Sequence, residues 1–218
     1  MTNTAKTRAD AELLKSGALT TDRIQSLGDN IFGFAMTLLV LNFLVPELGN
    51  GMSLGSELVT LVPAFLTYAM SFIVLGMMWV SQQNQYHFIQ RSDRLFLWIN
   101  IVFLMFVVFV PFSTHILSLY HTSALAVLLY GLNLIICGAL LYWHWTYATE
   151  NDRLVNTDIE KRVVQVIKIR YVFLIIWVGV SVALAYFSIP LAFFLFVPAL
   201  MLGVRPTTID RFSHWWLS

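Results

Sequence analysis

Residues 95–120 read LFLWINIVFLMFVVFVPFSTHILSLY and contain no aspartate, glutamate, lysine or arginine. A helix of about 20 mostly apolar residues crosses the roughly 30 Å hydrocarbon layer of a bilayer, and this segment meets that requirement. Of the 218 residues in the chain, 58% are hydrophobic and 11% are charged, against roughly 25% charged in an average soluble domain. The sequence therefore predicts one all-α integral membrane domain over residues 1–218.

Five apolar stretches reach or approach the length of a membrane span: residues 30–45, 58–80, 95–120, 124–147 and 171–204. The last is too long for a single span, because at about 1.5 Å per residue it would reach about 51 Å. We divide it at Ser188-Ile189-Pro190, since proline lacks a backbone donor and disfavours helix in the residue before it. Residues 30–204 are therefore predicted to form six transmembrane helices.

The orientation of these spans follows from the 13 lysine and arginine residues. They precede the first span, join the second to the third and the fourth to the fifth, and follow the sixth. Basic residues are retained in the cytoplasm, so both termini, residues 1–29 and 205–218, are predicted to be cytoplasmic, as is the 148–170 linker. Five spans would place Arg205 and Arg211 on the opposite side, so the charge pattern supports six.

Several classes of function are disfavoured by composition and by missing motifs. The net charge is +1 and the basic residues are scattered among short loops, which is untypical of nucleic-acid binding. The sequence has no HExxH, GxSxG or CxxC motif, and its one cysteine, Cys137, lies in an apolar stretch. Without these motifs we expect neither an enzyme nor a cofactor. The TVGYG selectivity filter of ordinary potassium channels is also missing.

One face of the first span carries a regular pattern of side chains, at Phe34, Thr37, Leu38 and Leu41. Spacings of three and four residues place them on the same side of a helix. Such a face is more typical of packing, with Thr37 bonded to the carbonyl of the preceding turn. Around an axis shared by several subunits, it would instead form apolar rings that exclude water and a ring of hydroxyls that contacts a partly dehydrated ion.

Three polar residues at or near the span ends allow both structural and functional interpretations. Asp29 precedes the first span and is interpreted first as a helix cap, although an ionisable group there is also a functional candidate. Asn100 lies in an apolar run, where an interhelical hydrogen bond would offset the cost of burying its amide. His144, between two tryptophans, is expected at the membrane interface.

The stretch around the first span resembles a known family. Residues 23–29 read RIQSLGD and lead into IFGFAMTLLVL at 31–41. This is similar to the signature of the transmembrane protein 175 family, the lysosomal potassium channels and their bacterial relatives: Arg-x-x-x-Phe-Ser-Asp, then an apolar helix with threonine eight residues after the aspartate. Thr37 stands at that offset. Further similarity at Trp79, in residues 93–104 and in 110–112 extends the resemblance to about half of the chain.

The chain departs from the family pattern at Phe34, where the family usually has isoleucine or leucine, and at two further sites. Leu27-Gly28 replaces the family's Phe-Ser, and Gln82 stands three residues after Trp79, where bacterial relatives usually have histidine. Both positions are expected to belong to the network that packs the first span.

The resemblance implies a potassium-selective channel without a carbonyl filter, built as a homotetramer in which the first span of each subunit lines the pore. The implied constriction consists of Phe34, Thr37 and Leu41 with Leu38 adjoining, and Thr37 would contact potassium transiently. The implied partners are other copies of the chain, the lipid bilayer and potassium ions. The bacterial plasma membrane is favoured over an organelle membrane. A secondary transporter of a small ion or solute, with coupled and saturable uptake, is the alternative.

The resemblance also implies a set of residues that hold the helices together without touching ions. These are Arg23, Asp29, Trp79, Gln82 and Asn100.

Overall fold

The computed structural model of the protein describes residues 21–42, 53–156, 159–185 and 187. Within them the chain is helical, with these α-helices: α1 Thr21–Leu38, α2 Leu54–Thr60, α3 Val62–Phe88, α4 Arg94–Leu119, α5 Ala124–Thr149 and α6 Lys161–Ala185. Short 3-10 turns follow α1 at Leu39–Asn42 and α5 at Glu150–Asp152. The predicted sixth span, the break at 188–190 and the tail 205–218 lie outside the described residues.

Five helical segments are long and apolar enough to cross a membrane: Thr21–Leu41, Val62–Phe88, Arg94–Leu119, Ala124–Asp152 and Lys161–Ala185. They correspond to the first five predicted spans. The third prediction differs from α4 by one residue at each end. Asp93 explains where α4 begins, because its carboxylate caps the helix by accepting from the Phe96 backbone N–H at 2.9 Å.

The first helix is longer than the sequence predicted, because α1 includes the polar residues from Thr21 onward. Ile24, Gly28, Phe32 and Ala35 recur at three- and four-residue spacing and are all buried. The buried stripe thus begins N-terminal to the apolar stretch. Packing against the other helices stabilises α1 in this polar part of the sequence. Asp29 therefore lies inside α1, and its interpretation as a helix cap is wrong.

Helices α5 and α6 pack closely through two glycines of α5. A side-chain carbon added to Gly131 would overlap Val182, and one added to Gly138 would lie 3.1 Å from Ile175. Glycine therefore allows the two helix backbones to approach at these positions, as small residues do in membrane helix pairs.

Replacing Gly131 with alanine is expected to separate α5 from α6 and to lower stability by about 1–3 kcal/mol, the usual cost of overpacking. Thermal unfolding of the purified protein in detergent measures the effect. Gly179→Ala on α6 is the matched control, because a side-chain carbon there meets nothing within 4 Å. Equal melting temperatures for the two variants would contradict the packing described here.

A buried hydrogen-bond network joins α3, α5 and α6. The Gln85 side-chain nitrogen donates to the Leu141 carbonyl at 3.0 Å and to the Tyr171 hydroxyl at 2.8 Å. The amide oxygen of Gln85 therefore faces Nδ1 of His144, 2.5 Å away, and this nitrogen must carry the proton. His144 is only 1% exposed, so its side chain faces the inside of the bundle and not the lipid headgroups, as an interfacial anchor would. The Gln85 amide on α3 satisfies Nδ1 inside the bundle, whereas Nε2 is buried without a hydrogen-bond partner among the described residues.

The turns that follow α3 and α5 are bonded to each other. Ile89 and Val155 form an antiparallel bridge, and the backbone N–H groups of Gln90 and Arg91 both donate to the Leu154 carbonyl. These contacts lie at the end of the bundle where α4 begins. They hold the first part of the predicted 148–170 linker against the helices.

Candidate functional site

Helix α1 is attached to the bundle along one side only. Its buried residues continue through Leu39 in the 3-10 turn, and the Phe32 ring packs against Phe103 of α4 at 6.0 Å between ring centroids. The opposite side of α1 is exposed. The subunit therefore fixes the rotation of α1 and leaves a defined face uncovered.

The four residues predicted to form a constriction are all exposed: three lie on this side of α1, and Leu41 lies in the 3-10 turn that follows. We call these four positions the open face of α1. Phe34 is 70% exposed, Leu41 68% and Leu38 41%, and Thr37 is also exposed. The Thr37 hydroxyl donates to the Phe34 carbonyl at 2.8 Å. Because the hydroxyl proton is used within the helix, the Thr37 oxygen presents its lone pairs outward.

Asp29 joins α1 to α3 through hydrogen bonds to its carboxylate. Oδ1 accepts from the Trp79 indole N–H at 2.8 Å and from the Gln83 amide at 2.5 Å. The amide oxygen of Gln83 in turn accepts from the Gln25 side chain. Hydrogen bonds to a charged acceptor are stronger than those between neutral groups. These connected hydrogen bonds therefore fix the position of α1 along α3.

Gln82 and Asn100 form a second connection, between α3 and α4. The Gln82 amide donates to Asn100 Oδ1 at 2.8 Å, and both residues are 1% exposed. A side-chain carbon on Gly28 would lie 2.9 Å from the Gln82 amide oxygen. Two of the departures from the family pattern, at Gly28 and Gln82, are therefore in contact, and the glycine leaves room for the amide.

The structure thus places four of the five predicted packing residues in two hydrogen-bonded groups. The fifth, Arg23, is exposed, and the hydrogen bonds among the described residues do not reach it. Sequence reasoning missed Gln25 and Gln83. A signal for Gln83 was present, since it follows Trp79 by four residues and so lies on the same side of α3.

Metal coordination by side-chain clusters has no support in the part of the chain that the structure describes. No group of three or more His, Cys, Asp or Glu residues there could hold an ion.

These features define a multi-pass α-helical membrane protein whose first helix is anchored on one side and open on the other. Residues 23–111 match the family described as "Endosomal/lysosomal potassium channel TMEM175". A protein named as a potassium channel from Chamaesiphon minutus is 32% identical over 158 residues, which cover 70% of this chain and 78% of that protein. The chain belongs to the TMEM175 family, as its first-span signature predicted.

Two further comparisons agree with this assignment. A protein named as a potassium channel from Streptomyces collinus is 28% identical over 173 residues, covering 78% of this chain and 84% of that one. The crystal structure of a lysosomal potassium-selective channel TMEM175 homolog from Chamaesiphon minutus superposes with a TM-score of 0.77 at 28% identity. It matches 86% of this chain and 98% of that chain.

The family is one of ion channels, which are not enzymes. Bacterial relatives and five apolar helices identify a multi-pass integral protein of the bacterial plasma membrane.

Proposed function

We propose that this protein is a potassium-selective channel in which α1 of each subunit lines a central pore. The observation that carries the proposal is the open face of α1. A helix held rigidly by buried contacts on one side displays three large apolar side chains and one hydroxyl on the other. Potassium is inferred as the permeant ion because the matching family and relative are described as potassium channels.

The proposed assembly is a homotetramer of six-span subunits with both termini in the cytoplasm. One lining helix per subunit cannot enclose a pore, so several copies must bring their open faces to a common axis. The distribution of lysine and arginine supports the topology, because an even number of spans keeps all of these residues on one side.

Conduction through this pore would depend on two kinds of ring. Phe34, Leu38 and Leu41 would form apolar rings that exclude water while the pore is narrow, and widening would let water and ions enter. Thr37 would supply a ring of hydroxyl oxygens for a partly dehydrated potassium ion. Because the hydroxyl proton is bonded to the Phe34 carbonyl, the ring would offer acceptors to a cation and no donors to an anion.

The hydrogen bonds behind α1 would set the rotation of these rings. Asp29 is bound by Trp79 and Gln83 of α3, and it lies eight residues before Thr37, or about 12 Å along the helix. These bonds lie outside the proposed ion path, so their contribution to conduction would be positional.

Replacing Thr37 with valine tests the proposed ion contact. Valine keeps the shape but removes the oxygen from every subunit. The preference for potassium over sodium should fall at least roughly fivefold, because the loss of even one contact costs about 1 kcal/mol. Thr37→Ser keeps the oxygen and should retain the preference. The measurement is the reversal potential of purified protein in lipid bilayers with potassium on one side and sodium on the other.

Two results would reject the proposal. One is the absence of potassium current from the native protein. The other is a native preference for potassium that survives unchanged in Thr37→Val.

A further inference from the structure

Asn30 is a polar residue on the open face of α1 that the predicted constriction does not include. It is exposed and lies four residues before Phe34 and seven before Thr37, spacings that place all three on one side of a helix. The helical rise puts Asn30 about 10 Å from Thr37, toward the end of α1 that carries Asp29. A polar side chain therefore precedes the apolar rings on the same face.

The orientation of the Asn30 amide is fixed by its own helix. Its Nδ2 donates to the Ser26 carbonyl at 2.9 Å. A carbonyl oxygen can only accept, so the amide nitrogen must be the atom that faces Ser26. The amide oxygen is left on the outer side, and no donor among the described residues is bonded to it.

Asn30 and Thr37 share one arrangement. In both side chains a donor is bonded to a carbonyl of the preceding helical turn, at Ser26 and at Phe34 respectively, and an oxygen is presented outward. Outward oxygen atoms stabilise cations by replacing part of their hydration shell. The two positions lie on either side of Phe34, so a cation that passes the Phe34 ring would have oxygen contacts before and after it.

We propose that Asn30 forms a second cation-binding position, a ring of amide oxygens that holds a hydrated monovalent cation before the apolar constriction. The inference rests on the proposed pore arrangement of α1.

Charge substitutions at Asn30 test the inference, with conductance of purified protein measured in bilayers at low and at high potassium chloride. Asn30→Asp should raise conductance at low salt roughly tenfold and Asn30→Lys should lower it similarly, because charge at a pore entrance changes the local cation concentration. Both effects should shrink at about 1 M salt, where screening acts within about 3 Å. Asn30→Ala should weaken conduction modestly at low salt.

The matched controls are Asn84→Asp and Asn84→Lys. Asn84 is also an exposed asparagine in a helix, but it lies on α3, and neither change should alter conductance. Should Asn30→Lys fail to assemble, Asn30→Asp compared with the native protein still tests the effect of charge, and Asn30→Ala tests the loss of the amide oxygen.

The outcomes separate this inference from the proposed function. If the native protein conducts and Thr37→Val alters its selectivity, but conductance is unaffected by charge at Asn30, the Asn30 position is rejected and the pore is retained. A native protein that carries no potassium current overturns both.

Discussion

Replacing Leu41 with serine is expected to raise potassium flux into liposomes roughly tenfold, which corresponds to about 1.4 kcal/mol of barrier. Leu41 is 68% exposed on the open face of α1. In the proposed pore it forms the apolar ring beyond Thr37, and narrow apolar rings block ions by excluding water. A hydroxyl at this position would keep the ring hydrated and would allow ions to leak through the closed state.

Leu125→Ser is the control for Leu41→Ser. Leu125 is 72% exposed but lies on α5, so the substitution removes as much exposed apolar surface without affecting α1. The flux of Leu125→Ser should equal that of the native protein. An unchanged flux in Leu41→Ser, or equal increases in the two variants, would contradict a constriction at Leu41.

Replacing Asp29 with alanine should both destabilise the protein and reduce conduction severely. The change removes the acceptor for Trp79 and Gln83, and hydrogen bonds to a charged group contribute about 1.5–3 kcal/mol each when buried. Because Asp29 is exposed, solvent weakens both bonds, and we expect a total loss of about 2 kcal/mol, below the sum for two buried bonds. Potassium flux should fall further than stability alone explains, since the rotation of α1 would no longer be fixed.

Thermal unfolding in detergent and potassium flux in liposomes, measured on the same preparation, separate the two effects of Asp29→Ala. Asp29→Asn keeps one acceptor and should lie between the native protein and the alanine variant. Asp22→Ala is the control, because Asp22 is also an exposed aspartate of α1 and lies outside the network. If Asp29→Ala and Asp22→Ala behave alike, the carboxylate of Asp29 does not position α1.

Much of the fold follows from local sequence, because the cost of exposing backbone groups to lipid leaves long apolar stretches few alternatives to helix. The predicted spans at 95–120 and 124–147 lie within a few residues of α4 and α5. The start of α1 was missed because Ile24 and Gly28 are isolated in a polar stretch. Their burial depends on helices that come later in the chain.

The candidate site shows the same division between local and long-range information. The spacing of Phe34, Thr37 and Leu41 predicted a common face from sequence, but only the tertiary structure shows that this face is the uncovered one. The contact between Gly28 and Gln82 joins residues more than fifty positions apart. His144 was placed at the interface because its tryptophan neighbours are visible in sequence and its partner Gln85 is not.

A density map of the assembled protein in lipid nanodiscs would show whether α1 lines a pore shared by several subunits. We expect four copies of α1 around one axis, with Phe34, Thr37 and Leu41 directed toward it and Asp29 bonded to Trp79 of the same subunit. A map in which these three side chains face lipid, or lie inside the helical bundle of one subunit, would contradict this arrangement.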